Sequence, residues 1–403
     1  MGSVINIKGD KQLTICKKTE KRMAGLYIHI PFCRSRCSYC AFYSTTQPAL
    51  KQRYVDAVCK EMALRPHPLV AGQRIDTVYL GGGTPSTLSA DQLRQLFSHL
   101  AARYELNFGG DDRQGMSPRE VTIEVNPDDV SEALARLLAE LPVNRVSMGA
   151  QTFDDERLRF LRRRHTSVQV SQAVNRLREA GISNISVDLM YGFPGETFDD
   201  WLRDIDRALA LDVPHLSAYC LTVEEGTPLY QWMADKGTRM MDEERERQMY
   251  YALIDRLTAA GYEHYELSNF ARPGMRSQHN SSYWCDVPYI GLGAAAHSYM
   301  LDERRWNVSN IRRYIHAIEH DTVPCEGETL DDDTRYNDRV TVALRTREGL
   351  NLTTLSDRHR QYCLREARHF VDAGLLRLAD NRLILTREGL FVSDMVMSSL
   401  MLV

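Results

Sequence analysis

The sequence predicts an α/β protein built from a run of parallel βα units, with a small separate α+β domain at its C-terminal end. Three observations predict this. Short β-branched or aromatic runs alternate with helical patterns from about residue 26 onward. The repeat is regular, at about 30–40 residues per unit, which implies parallel strands and right-handed crossovers. The alternation then stops near Pro273, and from Ile311 the pattern becomes helical with only short strand candidates. Six or seven units suit a full or partial βα-barrel better than an open sheet, and periodicity alone does not decide between these.

The strand candidates are residues 26–30, 77–80, 121–125, 145–148, 185–190 and 216–221, with 262–267 as a seventh. Between them lie helical segments at 54–64, 90–104, 131–141, 154–161, 167–180, 198–211 and 242–259. Ser89 is a natural N-cap for the helix that carries Leu93, Leu96 and Phe97, and Gly181 terminates the one that begins near Ser167. Residues 107–118, rich in Gly and Asp, read as a loop insertion, and 273–300, rich in Gly, Ser and His, as a long functional connection. In the C-terminal part 375–378 and 382–385 are strand candidates. The resulting division is a polar N-terminal extension (1–22), a barrel (23–272), a connecting segment (273–310) and a C-terminal domain (311–403).

Composition narrows the function. Fifty basic residues against fifty-four acidic ones leave a net charge of −4, which disfavours a chain organised around nucleic-acid phosphates. No apolar run approaches the ~20 residues that span a bilayer, and the polar, basic first 21 residues carry no signal-type apolar region. The expected location is cytoplasmic. Nine cysteines, an odd number in a long chain of this kind, do not suggest a disulfide framework.

Six of the cysteines are scattered: Cys16, Cys59, Cys220, Cys285, Cys325 and Cys363. The other three, Cys33, Cys37 and Cys40, crowd into eight residues directly after the first strand. If that segment curls into a loop, three thiols come within reach of one point. A [4Fe–4S] cluster with one iron left open for an outside chelator is the favoured reading. Zinc needs a fourth ligand, and Phe42 stands where one would sit. Three buried packing cysteines fit poorly with a loop containing Arg34, Ser35, Arg36 and Ser38.

Other candidates fall at strand ends. Gly81-Gly-Gly-Thr-Pro85 follows the second strand, and consecutive glycines let a backbone approach a ligand closely. Glu124 lies near the end of the third strand, where a carboxylate can take ribose hydroxyls or simply be solvated. Gln151 follows the fourth. Asp188 sits between Val187 and Leu189, where an unpaired buried acid would be costly, so it is expected to face a polar site. Five arginines fall within 157–164, and most read as a solvated helix face.

The CxxxCxxC loop after the first strand resembles the radical S-adenosylmethionine (SAM) superfamily, over roughly residues 27–300. The resemblance implies a partial (βα)6-type barrel with its site at the strand C-termini. It also implies a cluster on Cys33, Cys37 and Cys40 that binds SAM through the SAM amino and carboxylate groups and cleaves it to a 5′-deoxyadenosyl radical. Tyr27-Ile-His-Ile-Pro-Phe-Cys33, the glycine run, Glu124, Gln151, Arg163, Asp188 and Gly291-Leu-Gly293 together resemble the subfamily that holds the oxygen-independent coproporphyrinogen III oxidases and the heme chaperones. That resemblance implies SAM contacts from Tyr27, Tyr39, Gly83, Thr84, Glu124, Gln151, Arg163 and Asp188.

Three departures favour the chaperone side. Phe42 replaces a further cysteine of the oxidase, the stretch before Tyr27 is short, polar and free of aromatic residues, and His279-Asn-Ser-Ser-Tyr-Trp284 matches the HNxxYW motif of the chaperones. Imidazole is a common axial ligand of heme iron, and Tyr283 with Trp284 offers flat apolar surface for a porphyrin, so His279, Tyr283 and Trp284 are the implied heme residues. A histidine beside an aromatic pair is otherwise a packing cluster. His297 stands where the oxidase has an apolar residue, with a heme contact and a structural hydrogen bond as open alternatives. The implied partners are heme and a recipient hemoprotein such as a membrane cytochrome. Peripheral membrane contact and a homodimer are admitted, nucleic acid is not, and the reducing partner is unspecified. The alternative function is radical decarboxylation of coproporphyrinogen III or another porphyrin, an activity expected to be absent here.

Overall fold

A computed structural model describes residues 23–65, 74–106, 118–238 and 240–402. The N-terminal extension 1–22, with Cys16, and nearly all of the 107–118 loop lie outside the described residues. Six strands run parallel in chain order: β1 (Met23–Ile30), β2 (Arg74–Gly82), β3 (Glu120–Val125), β4 (Arg145–Gln151), β5 (Ile185–Tyr191) and β6 (His215–Cys220). Each pairs in parallel with the next, with helical crossovers between. Ser89 closes a capping box on the helix Ala90–Tyr104, and Gly181, at φ +94°, follows the helix Ser167–Glu179.

Parallel strands buried on both faces normally read as unbroken apolar runs. Here they alternate. Leu26, Ile28, Val78, Leu80, Val121, Ile123, Val146, Met148, Val187 and Leu216 are buried against the helices. The residues between them, from Tyr27 and Tyr79 through Glu124 and Ser147 to Asp188 and Ser217, face the other side. The concave face of the sheet is therefore a polar site and not a second core.

β1 and β6 do not pair with each other, so the six strands form a partial barrel. Beyond β6 lies a hairpin, β7 (Glu263–Glu266) and β8 (Asn269–Ala271), with β8 antiparallel to β6. The segment 262–267 is thus an antiparallel edge strand and not a seventh βα unit, because the chain turns back at Leu267–Ser268 instead of crossing over. Beyond β1 lie β9 (Tyr289–Leu292), parallel to β1, and then β10 (His297–Tyr299), β11 (Glu303–Asn307) and β12 (Cys325–Thr329) in antiparallel order. The stretch 273–310 therefore builds sheet as well as connection. Its strands are three to five residues long, too short for a period to show.

The helix Ile311–Glu319 buries Ile311, Tyr314, Ile315 and Ile318 in the main core. The second core gathers from Tyr336 onward, around Val340, Leu344, Phe370, Leu383 and Met397. It includes the antiparallel sheet of β13 (Leu350–Asn351), β15 (Arg382–Leu385) and β14 (Leu376–Ala379). On this packing the C-terminal unit starts near Asp332, not at 311. Arg345 donates from Nε and Nη2 to one oxygen, Oε1, of the buried Glu266 and so ties this unit to the barrel edge.

Glu61, fully buried on the helix Lys51–Leu64, joins the added strands to the barrel. Its carboxylate accepts from Arg65 at 2.7 Å, Asn307 Nδ2 at 2.7 Å, the Tyr314 hydroxyl at 2.6 Å and the Gly293 amide at 2.8 Å. Removing one partner of a buried ion pair leaves the other uncompensated. Glu61→Ala is expected to lower stability by about 3–5 kcal/mol, read as a fall in the urea unfolding midpoint.

Candidate functional site at the strand C-termini

The cysteine loop leaves β1 through Pro31 and Phe32 and is held at both base and tip. At the base the Cys33 amide donates to the Thr45 carbonyl (2.9 Å), the Thr45 amide to Pro31 (2.6 Å) and the Thr84 amide to Phe32 (2.8 Å). At the tip Ser38 donates to the Leu161 and Phe160 carbonyls and accepts from the Leu229 amide. Tyr39 packs on the apolar cluster of Leu161, Met190, Phe193 and Leu221. The three thiols are half-buried. Thr84 Oγ1 lies 3.7 Å from Cys33 Sγ, and Arg163 Nη1 lies 3.5 Å from Cys37 Sγ.

Burial pushes the Cys33 and Cys40 thiols up. Thiolates here need compensating charge beyond what Arg163 and Thr84 supply, and bound metal provides it. Among the described residues no three His, Cys, Asp or Glu side chains are grouped to hold a single metal ion. A mononuclear zinc site requires that convergence, whereas a four-iron cluster spreads its thiolates over separate irons. The donor set fits the cluster.

The other strand-end candidates surround this loop. Gly82, at φ +107°, passes so close to the His29 ring that a Cβ would lie 2.3 Å from it. A Cβ on Gly83 would meet the Ile30 carbonyl at 2.8 Å, so both positions exclude larger residues. Arg163 is fixed by Asn126 Oδ1 (2.7 Å) and the Gly149 carbonyl (2.5 Å). Gln151 is buried at a β-bulge with φ +69°. Glu124 accepts from the Tyr79 hydroxyl (2.8 Å) and the Gly82 amide (3.0 Å), and Asp188 from Ser147 (3.2 Å) and Ser186 (3.4 Å). Burial raises both acids. Glu124 rises to about 7, with Asp188 adding to the shift and Tyr79, Gly82 and Arg145 opposing it.

Relatives that share about a third of the sequence over most of its length decide the family. The Radical SAM superfamily model matches residues 27–208, and the HemN C-terminal domain model matches 330–392. The heme chaperone HemW of Lactococcus lactis is 35% identical over 327 residues, 80% of this chain and 82% of that protein. HemW of Bacillus subtilis is 32% identical over 382 residues, 93% of this chain and 98% of that protein. The chain belongs to the HemW family of radical SAM proteins. The Escherichia coli coproporphyrinogen III oxidase HemN, a radical SAM enzyme, superposes with a TM-score of 0.79 at 22% identity, covering 97% of this chain and 93% of that one. This likeness shows the shared fold, and the superfamily implies SAM and a [4Fe–4S] cluster.

The HNxxYW motif of this HemW-family chain lies in the helix Gln278–Trp284, where His279 meets Thr77 and Glu120 at the starts of β2 and β3. Glu120, at the start of β3, accepts from the amides of Gln278 (2.7 Å) and His279 (2.9 Å). His279 is 1% exposed, stacks on Tyr79 and has both ring nitrogens engaged, Nδ1 with Thr77 Oγ1 (2.7 Å) and Nε2 with the Tyr283 hydroxyl (2.8 Å). Burial, then the Arg145 cation, push it down to about 3, so it is neutral. Trp284 carries Arg345 over its ring.

A recess of about 740 Å³ opens beside the cysteine loop, lined by Tyr27, His29, Phe42, Tyr43, Tyr289 and His297, with Tyr283 also in its wall. The structure brings Tyr283 to this recess but not His279 or Trp284. The sequence reading passed over His29, Tyr43, Tyr79 and the buried Arg145. The inward phase of β1 and β2, set against their apolar partners, was the signal that marked His29 and Tyr79.

Glu124 gives this site a pH signature in the cofactor-free chain. The folded carboxyl titrates near 7 against its ordinary 4.5, so the folded state holds the proton longer. The stability that goes with the protonated form is present below about 4.5 and is lost as pH rises to about 7. Glu124→Gln should flatten that slope by on the order of 3 kcal/mol, measured as unfolding free energy at pH 4.5 and pH 8.

Proposed function

We propose that the chain is a heme chaperone, which takes heme into the recess beside the cysteine loop and passes it to a recipient hemoprotein such as a membrane cytochrome. The observation that carries this reading is the aromatic-walled recess itself, with Phe42 71% exposed at its mouth. Its volume is that of a small-molecule site, and flat rings suit a porphyrin face. The names of the relatives support the same cargo. Action in the cytoplasm with peripheral membrane contact accords with it, and no described helix is long and apolar enough to cross a membrane.

On this reading Cys33, Cys37 and Cys40 hold the cluster, and Tyr27, Tyr39, Gly83, Thr84 and Gln151 shape the SAM pocket. Arg163 offers its guanidinium to the SAM carboxylate, and Glu124 and Asp188 offer acceptors to ribose hydroxyls. A cluster held by these three cysteines would supply the electron for reductive cleavage of SAM. The chain's own contribution is to orient: Arg163 is braced by Asn126 and Gly149, and Glu124 by Tyr79 and Gly82. From the HNxxYW motif, Tyr283 supplies porphyrin-facing wall, while His279 holds its hydroxyl and Trp284 anchors the helix against Arg345.

Anaerobically reconstituted protein should bind heme saturably and transfer it to an apo-hemoprotein. With SAM, a reductant and coproporphyrinogen III it should form no protoporphyrinogen IX, and turnover in that assay would replace the chaperone reading with the oxidase one. Cys37→Ala should abolish iron retention. A full complement of four irons in that variant would remove the cluster assignment.

A further inference from the structure

Three histidines stand at or behind the recess, and their hydrogen bonds separate them. His29 lines it, but Nε2 donates to the Tyr43 carbonyl (3.0 Å) and Nδ1 accepts from the Tyr27 hydroxyl (2.9 Å). A nitrogen that carries the proton has no lone pair for a metal, and the lone pair on Nδ1 is taken by Tyr27, so His29 ligates only after one of these bonds breaks. His279 is buried behind Tyr283 with both nitrogens taken. His297 lines the recess, is exposed, and makes no hydrogen bond from either ring nitrogen within the described chain.

We propose that His297, and not His279, is the axial ligand of heme iron in this protein. The proposal rests on the reading of the recess as the heme site and names the atom that would hold the metal. Local backbone geometry is built around this residue. Gly291 lies under the His297 carbonyl so closely that a Cβ would come within 2.0 Å of it. Between them the chain turns through Gly293 at φ +98° and Ala295 at φ +63°. The turn is clamped on both sides: Gly293 donates to Glu61 and accepts from Asn307 Nδ2 (2.8 Å), the Ala296 carbonyl accepts from the Asn307 amide (2.9 Å), and Ser298 Oγ accepts from the Gly291 amide (3.0 Å).

A ligand on such a fixed turn loses little freedom on binding metal. The imidazole stacks on Trp306 of β11 at 6.2 Å and 29°, which sets its plane. Partial desolvation against the recess wall, then the neighbouring Arg304 cation, lower its pKa, so the free base that iron requires is present at neutral pH. Across the recess stand Phe42 and Tyr43 for the porphyrin face, and the exposed Arg36 offers a cation to a propionate.

The test is heme titration of the full chain by absorbance and electron paramagnetic resonance, with wild type, His297→Ala, His297→Met and His279→Ala compared. His297→Ala should weaken binding by roughly tenfold or more and lose the imidazole-ligated spectrum, with exogenous imidazole restoring it. His297→Met should retain binding with a changed ligand spectrum. His279→Ala, checked for folding by circular dichroism, should bind heme more weakly through the loosened Tyr283 wall and still show the imidazole-ligated spectrum, and loss of that spectrum in this variant alone overturns the assignment to His297. Saturable wild-type binding with an unchanged spectrum and affinity in His297→Ala overturns the ligand assignment and leaves the heme reading standing. Absence of saturable binding to the wild type overturns both.

Discussion

The parallel pairing of β1 with β9 is the constraint on which the site depends. Gly25 to Ile28 lie against Tyr289 to Leu292, so two segments more than 260 residues apart become neighbours in one sheet. The pairing places the turn 291–297 beside the loop that leaves β1 with the three cysteines. It is reinforced from behind by the helix Lys51–Leu64. Tyr54 donates to the His29 carbonyl (2.7 Å) and accepts from the Ala294 amide (3.0 Å), and Glu61 holds Gly293 two turns further along. One helix face thus fixes both strands.

Inside the half-barrel the governing problem is charge. Glu124 and Asp188 are both raised, mainly by burial, and Asp188 adds to the cost of ionising Glu124. The cation that offsets them is Arg145, which is 1% exposed, has no ion-pair partner among the described residues, and leaves Nε and Nη1 without hydrogen bonds. It stabilises the acids through space while leaving their oxygens open to a ligand. The same field reaches the imidazoles of His215 and His279, which burial has already driven to the neutral form. A polar interior of this kind is poorly satisfied until something with hydroxyl and amino groups enters it.

Much of this was legible in the chain. The six parallel strands announced themselves by β-branched runs at a regular interval, and the cysteine triplet by its spacing in a polar loop. Ser89 and Gly181 marked helix ends through chemistry that acts within a few residues. What stayed hidden depends on long-range pairing. β9 to β11 are three to five residues long, so no period distinguishes them from a loop. Residues 262–267 looked like another barrel strand because their composition is that of one, and only the turn at Leu267–Ser268 decides their direction. Arg145 looked like an ordinary strand-start charge, since nothing in its neighbours shows that it points inward.

The two histidine-bearing motifs divide into a floor and a wall. The HNxxYW helix is capped by Glu120, and its histidine is stacked on Tyr79 and bonded to Thr77, so it closes the lower end of the half-barrel by a chain of short polar contacts. Through His279 that chain reaches the Tyr283 hydroxyl, and Tyr283 packs edge-on against Tyr289 of β9 at 4.6 Å. The floor therefore sets the orientation of the aromatic wall above it. Replacing the imidazole would leave Thr77 and the tyrosine hydroxyl without their buried partner, which would loosen Tyr283 and Tyr289 together and alter a ligand in the recess without any direct contact. A motif can in this way be required for heme handling while the iron itself is held by the residue on the turn opposite.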